Sequence, residues 1–259
     1  MPSDFDTNPA GRFPTTRGSA IGAASSDDPA LRARAFDALV RAYFRPVYKH
    51  VRLKWRRDPE DARDVTQGFF ARAFEKSHFG SYDPALARFR TYLRASLDHY
   101  VMELARGESR QKRGGGAVRL SLDFDVAEDE LSRSGALDSA SNAQAAEACF
   151  DHEWTRALFS SALAALEAMC EKQGKQVYFD VFRRYVLDPE TTSAASTSQG
   201  RPSYADVAAA CGIAVTDVTN YLSWARREMR ACVLEQLREI TASEQEFRDE
   251  ARAVLGIDP

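Results

Sequence analysis

Asp58-Pro59-Glu60-Asp61-Ala62-Arg63-Asp64-Val65-Thr66-Gln67-Gly68-Phe69-Phe70-Ala71-Arg72-Ala73-Phe74 carries a folding signal and a surface signal together. Asp58 is suited to accept the unpaired amides at a helix start, and Pro59 fits the first helical position, where no backbone donor is needed. Glu60, Asp61 and Asp64 oppose the positive end of the helix dipole. Ala62, Val65, Phe69 and Ala73 recur at helical spacing, so one face packs. Asp61, Asp64, Gln67 and Phe70 form a second stripe that mixes acid, amide and aromatic. Such a face is either an ordinary solvated surface or one dressed for a partner.

The 259 residues suffice for two small cores, and 44% hydrophobic content is that of a folded chain. A net charge of -3 and a pI near 5.9 argue against a free-standing nucleic-acid binder, which is usually basic. Charge is divided by segment instead: residues 106–119 are basic, whereas residues 123–130 and the tail after Glu239 are acidic. Cys149, Cys170, Cys211 and Cys232 form no paired motif and accompany four scattered histidines, which signals buried free thiols rather than zinc or disulfides. No metal or cofactor is expected. Apolar runs fall short of the roughly 20 residues a membrane span needs, and the N-terminus is polar, so no membrane contact and a cytoplasmic location are expected.

The pattern is helical throughout, which makes the expected fold class all-α, with two helical domains joined by a flexible linker. Residues 1–27 read as a flexible arm, with Phe5, Phe13 and Ile21 available for local docking. Residues 28–110 form the first domain, opening on a helix pair or one bent helix with a kink or break at Pro46. Arg52, Lys54, Arg56 and Arg57 surround Trp55, as either a DNA-backbone contact or a solvated helix end. The turn-prone loop over residues 77–83 contains His78, Phe79, Ser81 and Tyr82. A helix follows in which Arg88, Arg90, Tyr92 and Arg94 escape the core stripe of Phe89, Leu93, Leu97, Tyr100 and Leu104. Interleaved cations and rings suit a single strand, whose phosphates meet the cations while bases stack on the rings.

Residues 111–141 read as the linker, beginning at the glycines 114–116 and continuing through acidic Asp123, Asp125, Glu128, Asp129 and Glu130. The second domain, residues 142–240, starts on a long amphipathic helix, and its second helix stops at Asp188-Pro189 before a polar insertion at 191–200. From Ser203 to Leu222 the chain reads as a helix-turn-helix, with Ser203 and Asp206 as a capping box, Gly212 at the turn and Thr216 capping the second helix. Val207, Ala208, Ile213, Val218 and Leu222 lock the pair. Thr216, Asp217, Thr219, Asn220, Ser223, Arg226 and Arg227 face away, as on a helix entering a major groove. The extension, residues 241–259, has a helix start at Ser243 and apolar Phe247, Ala251, Val254 and Leu255, and is expected to dock on the second domain.

Asp61-Ala62-Arg63-Asp64-Val65-Thr66-Gln67-Gly68-Phe69-Phe70 resembles the clamp-binding helix of bacterial sigma factors of the extracytoplasmic-function type, with Arg63 where the family has an acid. Phe89-Arg90-Thr91-Tyr92-Leu93 is similar to the family's promoter-melting segment, with Tyr92 replacing a tryptophan; His99 and Glu103 stand where many members have Asn and Asp. The linker with Lys112-Arg113-Gly114-Gly115-Gly116 and the short extension resemble one subgroup. The resemblance implies a factor that binds core RNA polymerase, at the beta-prime clamp and beta flap, and directs it to promoter DNA without covalent chemistry. It assigns polymerase binding to Asp61, Asp64, Gln67 and Phe70. It assigns minus-ten binding and melting to His78, Phe79, Ser81, Tyr82, Arg88, Arg90, Tyr92, Arg94 and His99, and the minus-thirty-five element to the seven outward residues from Thr216 to Arg227. The acidic linker would occupy a basic channel of the polymerase. An anti-sigma factor, or a kinase acting on Thr66, is a candidate regulatory partner. Two readings compete: a stand-alone helix-turn-helix regulator with an N-terminal dimerisation or ligand module, and a metal-dependent nuclease or phosphotransferase using Asp61 and Asp64.

Overall fold

The computed structural model describes residues 19–24, 26–75, 78–108, 122–137, 143–188 and 202–259, and the described residues are helical without strands. The Gly114–Gly116 hinge, the insertion at 191–200, Phe5 and Phe13 lie outside them. After a short α1 (Ala20–Ala23) come α2 (Pro29–Lys54), α3 (Pro59–Glu75), a 3-10 turn (His78–Ser81), α4 (Phe89–Glu108) and α5 (Phe124–Arg133). The chain continues with α6 (Ala143–Lys172), α7 (Gln176–Phe182) extended by a π-turn, α8 (Tyr204–Cys211), α9 (Val215–Glu239) and α10 (Glu244–Leu255).

Local signals set most helix starts. Asp58 Oδ1 accepts from the Asp61 amide at 2.9 Å, and Ser203 with Asp206 forms the reciprocal capping box. The Ser243 side chain accepts from the Glu246 amide. Of the two readings at Pro46, the break does not occur: the residue lies buried inside one continuous α2. It forfeits one backbone bond, and the buried run Tyr43, Val47, Tyr48 and Val51 around it offsets that loss.

Along α6, Ala146, Phe150, Trp154, Leu158, Ala162, Leu166 and Cys170 fall every fourth residue, and all are buried. This stripe packs on α2 on one side and on α9 on the other. Two separately cored domains are therefore not what the packing gives: one core runs from Ala20 through α2, α3, α4 and α6 to Phe247 and Ala251 of α10. A second, small core holds Val181, Val207, Ala208, Val218 and Leu222 between α7, α8 and the start of α9. Both halves of the chain supply the main core because the unbroken apolar face of α6 is shared between α2 and α9.

The segment read as a flexible acidic linker is partly a folded element. Helix α5 starts on Asp123, buries Phe124, Ala127 and Leu131, and sets Phe124 against Phe44 and Tyr48 of α2. Its acids meet cations of the chain. Glu128 takes a two-pronged contact from Arg52, at 2.8 and 2.6 Å, and a 2.7 Å bond from the Tyr48 hydroxyl. Glu130 meets Lys49 at 2.9 Å and Arg156 at 3.0 Å, and Asp125 meets Arg63. Glu128 and Glu130 are thus committed to cations of the chain, whereas Asp123, Asp125 and Asp129 remain exposed on α5.

Candidate nucleic-acid and protein interfaces

Helix α3 presents Asp61 and Asp64 to solvent, with Gln67 half-buried beside them. Asp61 lies 3.6 Å from Arg57, one turn away. Phe70 does not share this surface: it is fully buried, ring to ring with Phe36 at 6.2 Å and Phe69 at 5.4 Å. Helix α3 is covered by α2 and approached by α4, so its aromatic stripe lies inside while its acidic edge remains outside. Thr66 is also buried, and its hydroxyl donates to the Ala62 carbonyl at 2.7 Å, which puts it out of reach of a kinase in this fold. Of the cations around Trp55, Arg52 and Lys54 turn inward, and Arg56 stays exposed. Lys54 and the Trp55 indole meet Asp98 at 2.7 and 2.9 Å, Arg52 meets Glu128, and Arg56 donates to the Leu137 carbonyl.

At the start of α4 the candidate melting residues gather around Phe89. Its buried ring contacts Tyr43, Phe79 and Tyr82 at 5.6, 5.4 and 5.2 Å. Phe79, expected to face a base, is instead a core residue that fixes the 3-10 turn containing His78. The Tyr82 hydroxyl donates to the Ala87 carbonyl, and Ser81 and Tyr92 share a 2.8 Å hydrogen bond, leaving the half-buried Tyr82 and Tyr92 rings 5.3 Å apart. His99 is exposed and pairs with Glu103 at 3.0 Å.

The arginines here are paired with acids. Arg88 and Arg90 lie 3.6 and 3.3 Å from the Glu250 carboxylate of α10, and Arg90 also stands 3.7 Å from Asp151 and above the Trp154 ring. Arg94 lies 3.4 Å from Glu147. Glu246, one turn before Glu250, accepts from the Phe89 amide at 2.6 Å and from the Ala242 amide at 2.9 Å. An acidic group is thus set at the positive end of α4. Burial pushes the Glu250 carboxyl above the usual carboxylate range, against the opposing pull of Arg90 and Arg88. The extension was expected on the second half of the chain; it does pack on α9, and its acids also reach α4. Sequence reasoning missed Glu246, Glu250, Asp151 and Glu147. The available signal was that Glu246 and Glu250 sit one turn apart, bracketing Phe247 on the face of α10 that packs.

Helices α8 and α9 are joined by a turn in which Gly212 adopts φ 67°, a left-handed conformation that a side chain resists. Helix α9 begins at Val215 on an Ala214 cap, so Thr216 lies inside the first turn and does not cap it. The turn closes one or two residues earlier than the Thr216 hydroxyl would suggest. Thr216, Thr219, Asn220, Ser223, Arg226 and Arg227 are all exposed, and Asp217 is half-buried. Arg226 lies over Tyr185, and Arg227 pairs with Glu228 at 2.9 Å. Behind them, Tyr178 stacks on Tyr221 at 3.8 Å, with Lys175 over Trp224.

Among the described residues, no three His, Cys, Asp or Glu side chains group as metal ligands, and no helix is long and apolar enough to cross a membrane. No family model matches the chain, and comparisons with curated proteins and with solved structures return no match.

Proposed function

We propose that this chain is a sigma-type transcription initiation factor that binds core RNA polymerase through the acidic edge of α3 and reads promoter DNA through α9 and the start of α4. The observation that carries the reading is the outward row Thr216, Thr219, Asn220, Ser223 and Arg227 on a helix that opens from a tight glycine turn. Hydroxyl and amide groups come first along this row and cations follow, which suits base edges near the helix start and phosphates further along. Support also comes from Asp61 and Asp64, which α3 presents to solvent. The factor performs no covalent step; preference for melted over duplex DNA within the polymerase complex drives opening, and it must offset a few kcal/mol for each extruded base.

The test is binding of the full chain to core RNA polymerase, with promoter affinity measured alongside. Asp61→Ala with Asp64→Ala is expected to lose polymerase binding while retaining promoter affinity. Arg227→Ala is expected to retain polymerase binding and weaken promoter affinity by about 1–3 kcal/mol. No binding of the wild type to polymerase would retire the proposal. The stand-alone regulator is favoured by one contrast: the α9 row is exposed while the α4 arginines are paired, an arrangement compatible with duplex binding alone. Specific duplex binding without polymerase would establish that alternative.

A further inference from the structure

Three features of the α4–α10 contact are unusual for a merely structural interface. The acids are buried: the Glu250 side chain is 3% exposed, against 40% for Arg88 and 15% for Arg90. The charge compensation is poor in hydrogen bonds, because Glu250 Oε2 accepts none and stands 3.3–3.6 Å from its arginines. Finally, Glu246 places its carboxylate on the first amide of α4, where the helix dipole favours an anion. One carboxylate on the helix start and a second beside two arginines offer negative charge and acceptor oxygens where a phosphodiester would.

We propose that α10 is an intramolecular latch whose Glu246 and Glu250 occupy the arginine-lined start of α4 in place of a nucleic-acid strand, so that the strand and α10 compete for one site. The occupant displaced is a segment of this same chain, residues 244–255, held to α9 at its back by Phe247 beneath Arg238. Glu250 is held only by distance-limited ion pairs, which cost less to give up than well-formed hydrogen bonds, so the hold of α10 rests mainly on the Glu246–Phe89 bond and on buried Phe247, while a phosphate backbone offers the arginines a better-solvated partner. The competition requires that a nucleic-acid strand bind at Arg88 and Arg90, and so rests in that respect on the initiation-factor reading. Masking itself does not require polymerase.

The experiment measures affinity of the full chain for a fluorescein-labelled single-stranded DNA by anisotropy, with hydrogen exchange reporting on α10 and on the Phe89 amide. Glu250→Lys sets a cation against Arg88 and Arg90 and is expected to free α10. Phe247→Ala loosens the same docking without changing charge, which separates release from added positive charge. Both variants are expected to lose protection in α10 and at Phe89 and to bind the strand about tenfold more tightly than wild type at fixed salt. Adding Arg88→Gln and Arg90→Gln is expected to abolish the gain. Release of α10 with unchanged affinity would overturn the latch, as would a gain that survives the arginine substitutions or protection that persists in both variants. Binding to core RNA polymerase is measured on the same samples. Failure there with the tenfold gain intact removes the initiation-factor reading alone, whereas polymerase binding without the gain removes the latch alone.

Discussion

Asp98 gathers three donors from the end of α2. It accepts from His50 at 3.1 Å, Lys54 at 2.7 Å and the Trp55 indole at 2.9 Å, so it ties the C-terminal turn of α2 to the middle of α4. Burial opposes its ionisation, but these three donors together outweigh burial and hold the carboxyl at about 2, from an ordinary value of 3.8. The sign follows from linkage: a carboxylate with a depressed folded value contributes stability that is present above about pH 4 and is lost as pH falls through about 2. A shift of this size corresponds to about 2 kcal/mol. Asp98→Asn removes the titrating group while retaining an acceptor. The stability difference between wild type and Asp98→Asn, from urea unfolding, is expected to shrink by about 2 kcal/mol between pH 5 and pH 2. A difference that stays constant across that window would show that Asp98 is ordinary. The inward turn of Lys54 toward Asp98 also withdraws that cation from a phosphate-facing patch around Trp55.

At the scale of helices, α3 and α4 come together where Gly68 leaves room. A β-carbon at Gly68 would collide with the Tyr100 hydroxyl, while the adjoining ring carbon would stay at 3.6 Å, an ordinary contact. Glycine inside a helix costs about 1 kcal/mol relative to alanine, so two effects oppose each other at this position. The Tyr100 ring is held against Phe69 and beneath Arg72, which limits its escape. Gly68→Ala is expected to destabilise the wild type, and to stabilise a Tyr100→Phe background by about 1 kcal/mol once the hydroxyl is gone. A double-mutant cycle with no coupling would mean that α3 and α4 do not approach so closely. What was legible in the sequence at this scale was local. Asp58, Ser203 with Asp206, Gly212 and Ser243 mark boundaries because each acts on amides or dihedrals a few residues away. Phe70 was not legible, because periodicity identifies stripes but not how many sides of a helix are covered. The partners of Arg88 and Arg90 were not legible either: Glu250 is far along the chain, and only the fold brings the charges together.

For the whole molecule, the expected pair of independent domains gives way to a shared core, because the four-residue stripe of α6 is covered by α2 and α9 together. That packing makes a definite claim about cooperativity. Leu97 and Val101 of α4 and Leu166 and Cys170 of α6 belong to the same buried cluster, so amides of α4 and α6 should open only when the whole core opens. Helix α8 is different. Its contacts run through the five-residue cluster of Val181, Val207, Ala208, Val218 and Leu222, which buries far less apolar area. Native-state hydrogen exchange in increasing urea is therefore expected to carry the slow amides of α4 and α6 onto one isotherm with one slope, while α8 exchanges through a smaller opening at lower free energy. Separate isotherms for α4 and α6 would instead restore two independent domains. The latch adds a second low-energy opening: α10 packs on α9, with Phe247 and Ala251 in the main core, and its contacts to α4 run through Glu246 and Glu250. In the Glu250→Lys variant the α10 isotherm is expected to fall while those of α4 beyond its first turn, α6 and α8 stay in place. Coincident loss across all four would show that α10 is an integral part of the core rather than a removable cover.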